Sequence, residues 1–188
     1  MPPTHECQEI VEKVRLCEPN LVRFIGVVYR VCTPKYATES DLLTGEGSRI
    51  KGGRWNPPGI AAVYGSSTPE TAMAESLGHY RYYRIPLPAA MPRVCLALEV
   101  DLNRILDLRD RAVRRRLGLT LGQISGDWRA QRDSGKVPTT QRVGEAVYRA
   151  GFEGLLAPSA HSPGGHNLVI FPKNLERTKQ LRVEGIGG

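Results

Sequence analysis

The chain has 188 residues, of which 40% are hydrophobic and 24% are charged. This composition is that of a folded globular protein and excludes a disordered or collagen-like chain, and no apolar stretch reaches the roughly 18 residues that a membrane span needs. The 26 Lys and Arg residues against 19 Asp and Glu residues give a net charge of +7. Such a charge indicates an anionic partner, either a nucleic acid or an anionic small ligand.

Cellular location and metal binding follow from what the sequence lacks. Residues 1–10 have neither the basic start nor the apolar run of a secretory signal, so we expect a cytoplasmic protein. Cys7, Cys17, Cys32 and Cys95 form no C-x-x-C pair, and the four histidines have no recognised ligand spacing. We therefore expect reduced thiols and no bound metal.

The first predicted elements are a helix and a strand. Apolar spacing predicts an amphipathic helical extension over residues 1–20 that packs on the rest of the chain, with residues 21–188 as the main domain. The run LVRFIGVVYRV from Leu21 is rich in β-branched and aromatic residues, which predicts a strand. Tyr29 and Arg30 lie at its end.

A glycine- and proline-rich segment follows over residues 36–59. It has too many backbone punctuators for a helix or a central strand, so we expect a long loop. Structureless loops of this length are uncommon unless they carry function, which makes the segment a candidate site element. A short buried strand is expected at Ile60–Tyr64.

The middle of the chain predicts a helix and a long strand. Thr68 is a suitable N-cap before Pro69, and the helix that follows carries Glu75. Strict alternation of apolar and polar residues from Arg93 to Leu102 predicts a half-buried strand. A helix over Leu108–Leu117 holds five arginines, which favours a solvated face beside a partner over a nucleic-acid patch.

The last third predicts a polar surface loop over residues 126–138 and a helix that begins near Thr139 and ends at Gly151. Strands are expected at residues 155–158, 167–171 and 181–184. These elements are too closely spaced for regular crossover units. The fold class predicted is therefore α+β, a mixed sheet with flanking helices in a single domain.

Standard catalytic motifs are absent from the sequence, including the phosphate-binding G-x-x-x-x-G-K-[ST], H-E-x-x-H and G-x-S-x-G. What remains is a set of polar groups on loops and element ends. In chain order they are Tyr29-Arg30, Gly45-Glu46-Gly47, Gly52-Gly53-Arg54-Trp55-Asn56-Pro57-Pro58-Gly59, Val63-Tyr64, Glu75, Pro138-Thr139-Thr140-Gln141, Pro158-Ser159-Ala160 and Asn167-Leu168-Val169. This order resembles the RES-domain toxins of bacterial toxin-antitoxin pairs from about residue 21 to residue 175.

The resemblance implies a set of site residues. The arginine, glutamate and serine that name the family correspond to Arg30, Glu75 and Ser159, as catalytic residues. Some members place the polar residue just before Q-x-x-G, which here reads Gln141-Arg142-Val143-Gly144, so Thr139 and Thr140 stay open as alternatives to Ser159. The residues implied to bind the dinucleotide are Tyr29, Gly53, Arg54, Trp55, Tyr64, Thr140, Gln141 and Asn167.

The resemblance further implies an ADP-ribosyltransferase-like fold that binds NAD as substrate and breaks its nicotinamide–ribose bond. An arginine fork suits the pyrophosphate, and aromatic faces at Tyr64 and Trp55 suit the cationic nicotinamide ring. Glu75 would hold a ribose hydroxyl or stabilise the cation that forms as nicotinamide leaves.

The acceptor and the partners admit alternatives. ADP-ribose could pass to water or phosphate, which would deplete NAD, or to a host protein such as an enzyme of nucleotide synthesis. The partner implied is an Xre-type antitoxin that covers the NAD cleft, with no direct contact to nucleic acid or membrane and with homo-oligomerisation left open. A competing interpretation is a basic nucleic-acid-binding module, whose affinity would fall steeply with salt.

Overall fold

The structure is a computed structural model that describes residues 5–177 and 180–184. The strands are β1 (Val22–Cys32), β2 (Val63–Ser66), β3 (Val94–Asp107), β4 (Gly154–Pro158), β5 (His166–Ile170) and β6 (Leu181–Val183). The helices are α1 (His5–Arg15), α2 (Glu39–Leu43), α3 (Glu46–Lys51), α4 (Pro69–Ser76), α5 (Gly78–Tyr82), α6 (Arg111–Leu117), α7 (Leu121–Ser125), α8 (Trp128–Asp133) and α9 (Thr139–Arg149). Residues 1–4 of the predicted extension, and residues 178–179 and 185–188 of the predicted main domain, lie outside the described residues.

The six strands form one mixed sheet. β1 pairs with β3 along its whole length, β3 pairs in parallel with β4, and β5 lies antiparallel between β4 and β2. Within the described residues, β2 reaches back to β1 through one residue pair, Tyr29 with Ser66, and this closes a ring of five strands. β6 pairs with the middle of β3. The predicted α+β fold with a mixed sheet is confirmed.

Both faces of the sheet are buried, because successive side chains of a strand point to opposite faces. On β5, Val169 belongs to the cluster beneath the helices, whereas Leu168 and Ile170 belong to a second cluster on the other face. The first cluster also holds Val11 and Val14 of α1, which packs against α9. The N-terminal helix thus has the packing role expected of it, and the domain boundary at residue 20 stays a prediction.

Several predicted elements are confirmed close to their expected bounds. The Thr68 side chain accepts a hydrogen bond from the Thr71 amide and caps α4, with Pro69 in the first turn. β1 and β3 are present, and β3 extends five residues beyond the predicted end at Leu102, to Asp107. α9 begins at Thr139, as expected.

The predicted loops over residues 36–59 and 126–138 were wrong in part, because each contains short helices. In the first, Thr38 caps α2, and Gly45 and Gly52, with φ of 67° and 71°, lie at the two ends of α3. In the second, the Asp127 side chain accepts hydrogen bonds from two amides and starts α8. One-turn helices of this kind depend on caps and packing more than on residue propensity.

The arginine-rich helix is shorter than predicted and is not a continuous basic face. Arg114 is 9% exposed, and its Nη1 donates to the carbonyls of Leu108 and Arg109. Arg109 forms an ion pair with Asp107, and Arg116 donates to the Leu16 carbonyl. Three of the five arginines therefore have partners within the chain, which weighs against a nucleic-acid surface on α6.

Candidate active site

A cleft of about 480 Å³ opens between the closing strands of the ring and the helices around them. Its walls come from β1, the segment from α3 through Trp55, α4, α8 and the loop before β5. The volume falls in the range of small-molecule sites. The ring-closing pair, Tyr29 and Ser66, lies in this wall, so the cleft is at the point where the sheet closes.

The Gly-Gly-Arg-Trp-Asn segment, residues 52–56 and called the glycine segment below, is held in shape by a buried hydrogen-bond network. The Tyr64 hydroxyl donates to Asn56 Oδ1 at 2.6 Å and accepts from the Trp55 amide at 3.0 Å. Asn56 is fully buried, and its Nδ2 donates to the carbonyls of Ser48 and Ile60. Burial raises the pKa of Tyr64 above its ordinary value, so the hydroxyl keeps its proton as a donor.

Helix α9 holds the same segment from behind. Gln141 Nε2 donates to the Gly53 carbonyl at 2.8 Å. A Cβ on Gly144 would lie 1.7 Å from the Trp55 carbonyl oxygen, so the close approach of α9 requires glycine there. The Q-x-x-G sequence thus fixes the position of the segment rather than lining the cleft.

The carboxylate of Glu75 on α4 is oriented by three donors on one oxygen. Its Oε1 accepts from Ser159 Oγ at 2.6 Å, from Asn167 Nδ2 at 2.8 Å and from the Ala160 amide at 3.1 Å. Ser66 Oγ donates to Asn167 Oδ1 at 2.7 Å, which turns the amide so that its nitrogen faces Glu75. The second oxygen, Oε2, lies 4.0 Å from His161 Nε2.

The loop between β4 and β5 is a compact turn built on Ser159. Ser159 Oγ accepts hydrogen bonds from the amides of His161 and Ser162 while it donates to Glu75. The Ser159 amide donates to the Gly165 carbonyl and closes the loop. Ser159 therefore positions both the carboxylate and the imidazole of His161, and it does so from outside the cleft-lining set.

The cleft carries an excess of positive charge. Among the described residues that line it, five are arginine or lysine and Glu75 is the one carboxylate; the five are Arg30, Lys51, Arg54, Arg129 and Arg132. Arg30 Nη1 is buried and has no hydrogen-bond partner among the residues that the structure describes. Burial lowers the pKa of Arg30 from its usual value, and an arginine remains charged even so. The cleft is therefore suited to an anion.

Arg54 and two arginines of α8, Arg129 and Arg132, form a further part of the cleft wall. Arg54 Nη1 donates to the Gly126 carbonyl at 2.8 Å, which joins the glycine segment to the turn before α8. Arg129 and Arg132 lie over the Trp128 ring, 4.8 and 5.3 Å from its centroid. Burial lowers the pKa of Arg54 and of Arg129, the direction that like charges in one cleft also favour.

The predicted site residues fall into two groups. Those that line the cleft are Tyr29, Arg30, Gly53, Arg54, Trp55, Tyr64, Glu75 and Asn167. Ser159, Thr140 and Gln141 do not line it: Ser159 binds Glu75, Gln141 binds Gly53, and Thr140 is 1% exposed with no partner for its Oγ1 within the described chain. Trp55 is 2% exposed and belongs to the core, so its stacking role stays a prediction.

Other cleft residues were missed by the sequence analysis. They are His161, Tyr83 and the α8 residues Trp128, Arg129 and Arg132. For α8 a signal exists in the sequence, since Asp127 is a good N-cap and Arg129 and Arg132 are three residues apart, on one helical face. For His161 there is none, because its position depends on the fold of the Ser159 turn.

Residues 5–177 and 180–184 contain no group of three or more His, Cys, Asp and Glu side chains that could hold a metal ion. In the same ranges, no helix has the length and apolar character of a membrane span.

Comparison with known proteins assigns the family. The family model of the RES domain matches residues 27–186, which is most of the chain. The chain belongs to the RES domain family. The resemblance carried by Arg30, the Gly-Gly-Arg-Trp-Asn segment and Glu75 is thereby confirmed.

Curated relatives of this RES chain are named as toxins or NAD-consuming enzymes. The NAD(+) phosphorylase MbcT of Mycobacterium tuberculosis (strain ATCC 25618 / H37Rv) is 31% identical over 69% of this chain and 66% of its own. The Prs ADP-ribosylating toxin of Sphingobium sp. (strain YBL2) is 39% identical over 31% of this chain and 37% of its own. The matches span less than two thirds of either relative. Toxin Res of Yersinia enterocolitica is 27% identical over 79% of this chain and 85% of its own.

A solved structure shares the fold of this RES chain. It is the crystal structure of the M. tuberculosis MbcT–MbcA toxin-antitoxin complex, with a TM-score of 0.73 and 27% identity. The superposition covers 93% of this chain and 88% of that one.

Proposed function

We propose that this RES chain is the toxin of a toxin-antitoxin pair that binds NAD and cleaves its nicotinamide–ribose bond. The observation that supports it most directly is the pairing of Arg30 and Glu75 in one cleft. Arg30 presents a buried Nη1 that has no partner in the described part of the chain, and Glu75 lines the same cleft with one of its oxygens held by three donors. Relatives named for NAD phosphorylation and ADP-ribosylation support the same proposal.

The charges of the cleft match those of the substrate. NAD carries a pyrophosphate, and a guanidinium fork binds such a group through parallel charged hydrogen bonds. Arg30 is the residue we assign to it, because its Nη1 is desolvated without a partner and this cost is recovered when an anion binds. Tyr64 and Gly53 lie beside it in the wall, so a dinucleotide can approach the backbone closely.

Glu75 is assigned to the reacting ribose. As the bond from C1′ to the nicotinamide nitrogen breaks, its electron pair leaves with nicotinamide and positive charge develops on the ribose. A carboxylate fixed in place stabilises that charge without reorganising during the reaction. Ser159 and Asn167 act on the reaction through Glu75, as positioning residues.

The acceptor of ADP-ribose is water or phosphate in this proposal, so that the reaction depletes NAD. The relative named as an NAD(+) phosphorylase matches 69% of this chain, and it supports water or phosphate as the acceptor over a protein. Transfer to a host protein is kept as the second candidate, since a shorter stretch of the chain is 39% identical to a toxin named for ADP-ribosylation.

The partner proposed is an Xre-type antitoxin in the cytoplasm. MbcT was solved in a complex with its antitoxin MbcA, and the net charge of +7 of this chain favours an acidic partner segment. Such a segment would compete with NAD for the cationic cleft. Homo-oligomerisation within the complex is compatible with this arrangement, and no direct role for nucleic acid is included.

The test is chromatography of NAD incubated with the purified chain, with Glu75→Gln as the inactive variant. Glu145→Gln is the matched control, since Glu145 forms an exposed ion pair with Arg149 on α9. We expect nicotinamide release by the wild type and the control and a loss of at least a hundredfold in Glu75→Gln. Labelled ADP-ribose found on protein instead of in small molecules would favour the second candidate, and NAD that stays intact in buffer and in cell extract would contradict both.

A further inference from the structure

His161 faces the second carboxylate oxygen of Glu75, Oε2. Its Nε2 lies 4.0 Å from Glu75 Oε2, too far for a hydrogen bond, and both residues line the cleft. An oxygen atom about 2.8 Å from each would complete a triangle between them with normal hydrogen-bond lengths. The pair therefore brackets a position for one small oxygen nucleophile beside the carboxylate assigned to the ribose.

The imidazole is held rigidly in this position. The amides of His161 and Ser162 both donate to Ser159 Oγ, so the turn that carries the ring is tied to the same hydroxyl that binds Glu75. The edge of the ring that carries Nε2 also packs on α5, where a Cβ at Gly78 would lie 2.5 Å from His161 Nε2. Glycine at 78 leaves the space that the ring fills.

The charge state of the ring at neutral pH follows from its surroundings. Burial lowers the pKa of His161, and Arg54, Arg129 and Arg81 lower it further, whereas Glu75 raises it. These groups belong to the glycine segment, α8, α5 and α4, the elements that face the ring. A neutral imidazole has a lone pair on one nitrogen and can take up a proton.

We propose that His161 is a further catalytic residue of this site, the general base that accepts a proton from water as the water attacks the ribose. The inference rests on the proposed cleavage of NAD and names the group that activates one acceptor. Glu75 stabilises the ribose cation, and His161 serves the nucleophile. The two neighbouring side chains thus have separate roles.

The reaction conserves atoms and charge. The water oxygen forms a bond to C1′ of the ribose, the bond from C1′ to the nicotinamide nitrogen breaks, and the electron pair leaves with neutral nicotinamide. One water proton moves to His161 Nε2, which becomes imidazolium and returns the proton to solvent after the product leaves. Phosphate dianion already carries a negative oxygen and needs no base, so the role of His161 is confined to hydrolysis.

The experiment compares hydrolysis and phosphorolysis in His161→Gln. NAD consumption is measured in phosphate-free buffer, where the product is ADP-ribose, and in saturating inorganic phosphate, where the product is ADP-ribose with a phosphate on the same C1′. His166→Gln is the matched control, because His166 is also partly buried but does not line the cleft. We expect hydrolysis by His161→Gln to fall about a hundredfold, the lower end of general-base effects, with phosphorolysis changed less than threefold.

A pH profile adds a readout that a structural role would not give. Wild-type hydrolysis should fall at acidic pH as His161 becomes protonated, and the profile of His161→Gln should lack this limb. Equal loss of both reactions in His161→Gln, or no loss of either, would overturn the inference and leave the proposed function intact. So would a wild type that carries out phosphorolysis alone. A wild type that consumes no NAD in either buffer would contradict the proposed function, and the inference with it.

Discussion

Gly144 and Trp55 are in such close contact that a single added carbon at residue 144 would fall 1.7 Å from the Trp55 carbonyl oxygen. The obstructing atom belongs to the backbone and cannot rotate away, so α9 or the glycine segment would have to move. Gln141 of the same helix also binds the Gly53 carbonyl. The two contacts together fix the position of the glycine segment against α9.

Gly144→Ala is accordingly expected to destabilise the protein by about 3 kcal/mol, at the upper end of the usual cost of overpacking. Urea denaturation followed by circular dichroism measures the change. Gly47→Ala is the control, because a Cβ there meets nothing within 4 Å and alanine favours the helical conformation of α3. Equal stability of the two variants would contradict the close contact.

Tyr64→Phe tests the network that shapes the glycine segment. The change leaves Asn56 Oδ1 and the Trp55 amide without their partner at a buried position. Unsatisfied buried groups cost about 1–3 kcal/mol each, so we expect a loss of roughly 2 kcal/mol in the free energy of unfolding. A variant as stable as the wild type in thermal and urea unfolding would show that water replaces the hydroxyl without cost.

Ser159→Ala and Thr140→Val distinguish two of the three hydroxyls, Thr139, Thr140 and Ser159, that the sequence left open. Ser159 donates to Glu75, whereas Thr140 Oγ1 is buried and has no partner among the described residues. We expect Ser159→Ala to lower kcat for NAD at least tenfold, because Glu75 loses a donor that orients it. Thr140→Val should keep kcat within about twofold and keep or raise the melting temperature, since it removes an unpaired polar atom. The opposite pattern would assign the functional hydroxyl to Thr140.

Arg30→Ala is expected to weaken NAD binding without unfolding the protein. Its Nη1 is buried and has no partner in residues 5–177 and 180–184, so removing the side chain takes away a desolvation cost and no hydrogen bond of that nitrogen to these residues. KM should rise at least tenfold while the unfolding midpoint stays near that of the wild type. Arg111→Ala, at an exposed position of α6, is the control for loss of one positive charge. Unfolding of Arg30→Ala would mean that the residue is structural.

The stability of the protein should fall in mild acid because of His161 and His166. Burial lowers the pKa of both below the ordinary value near 6.5. The unfolded chain therefore binds protons at a higher pH than the folded chain, and the free energy of unfolding decreases as pH falls through about 6.5. It levels off once both states are protonated. Urea titrations at a series of pH values measure the slope, which should be smaller in His161→Gln.

Local signals in the sequence predicted the elements that bring the main site residues together. Thr68 and Pro69 define the start of α4 and so the position of Glu75, and the β-branched run of β1 places Arg30. Asn167 was predicted only from the family resemblance. It binds Glu75, which lies 92 residues earlier in the chain. No local pattern contains that information.

The α8 wall shows what polarity alone conceals. The segment that begins at Trp128 looks like a surface loop by composition, yet the Trp128 ring is 7% exposed beneath Arg129 and Arg132. The guanidinium groups of both arginines lie over the indole ring, and all three residues line the cleft. His161 depends likewise on a turn closed by hydrogen bonds between residues 159 and 165.

In the described part of the chain β1 and β2 are joined through one residue pair, Tyr29 with Ser66, so the ring of strands is weakest there. Arg30 follows Tyr29 on β1, and Glu75 is linked through Asn167 to Ser66 on β2. A dinucleotide that contacts both Arg30 and Glu75 would therefore help to hold β1 and β2 together. Bound substrate would then slow amide hydrogen exchange on both β1 and β2. An antitoxin segment bound in the same place would stabilise the pairing of these strands while it blocks the cleft.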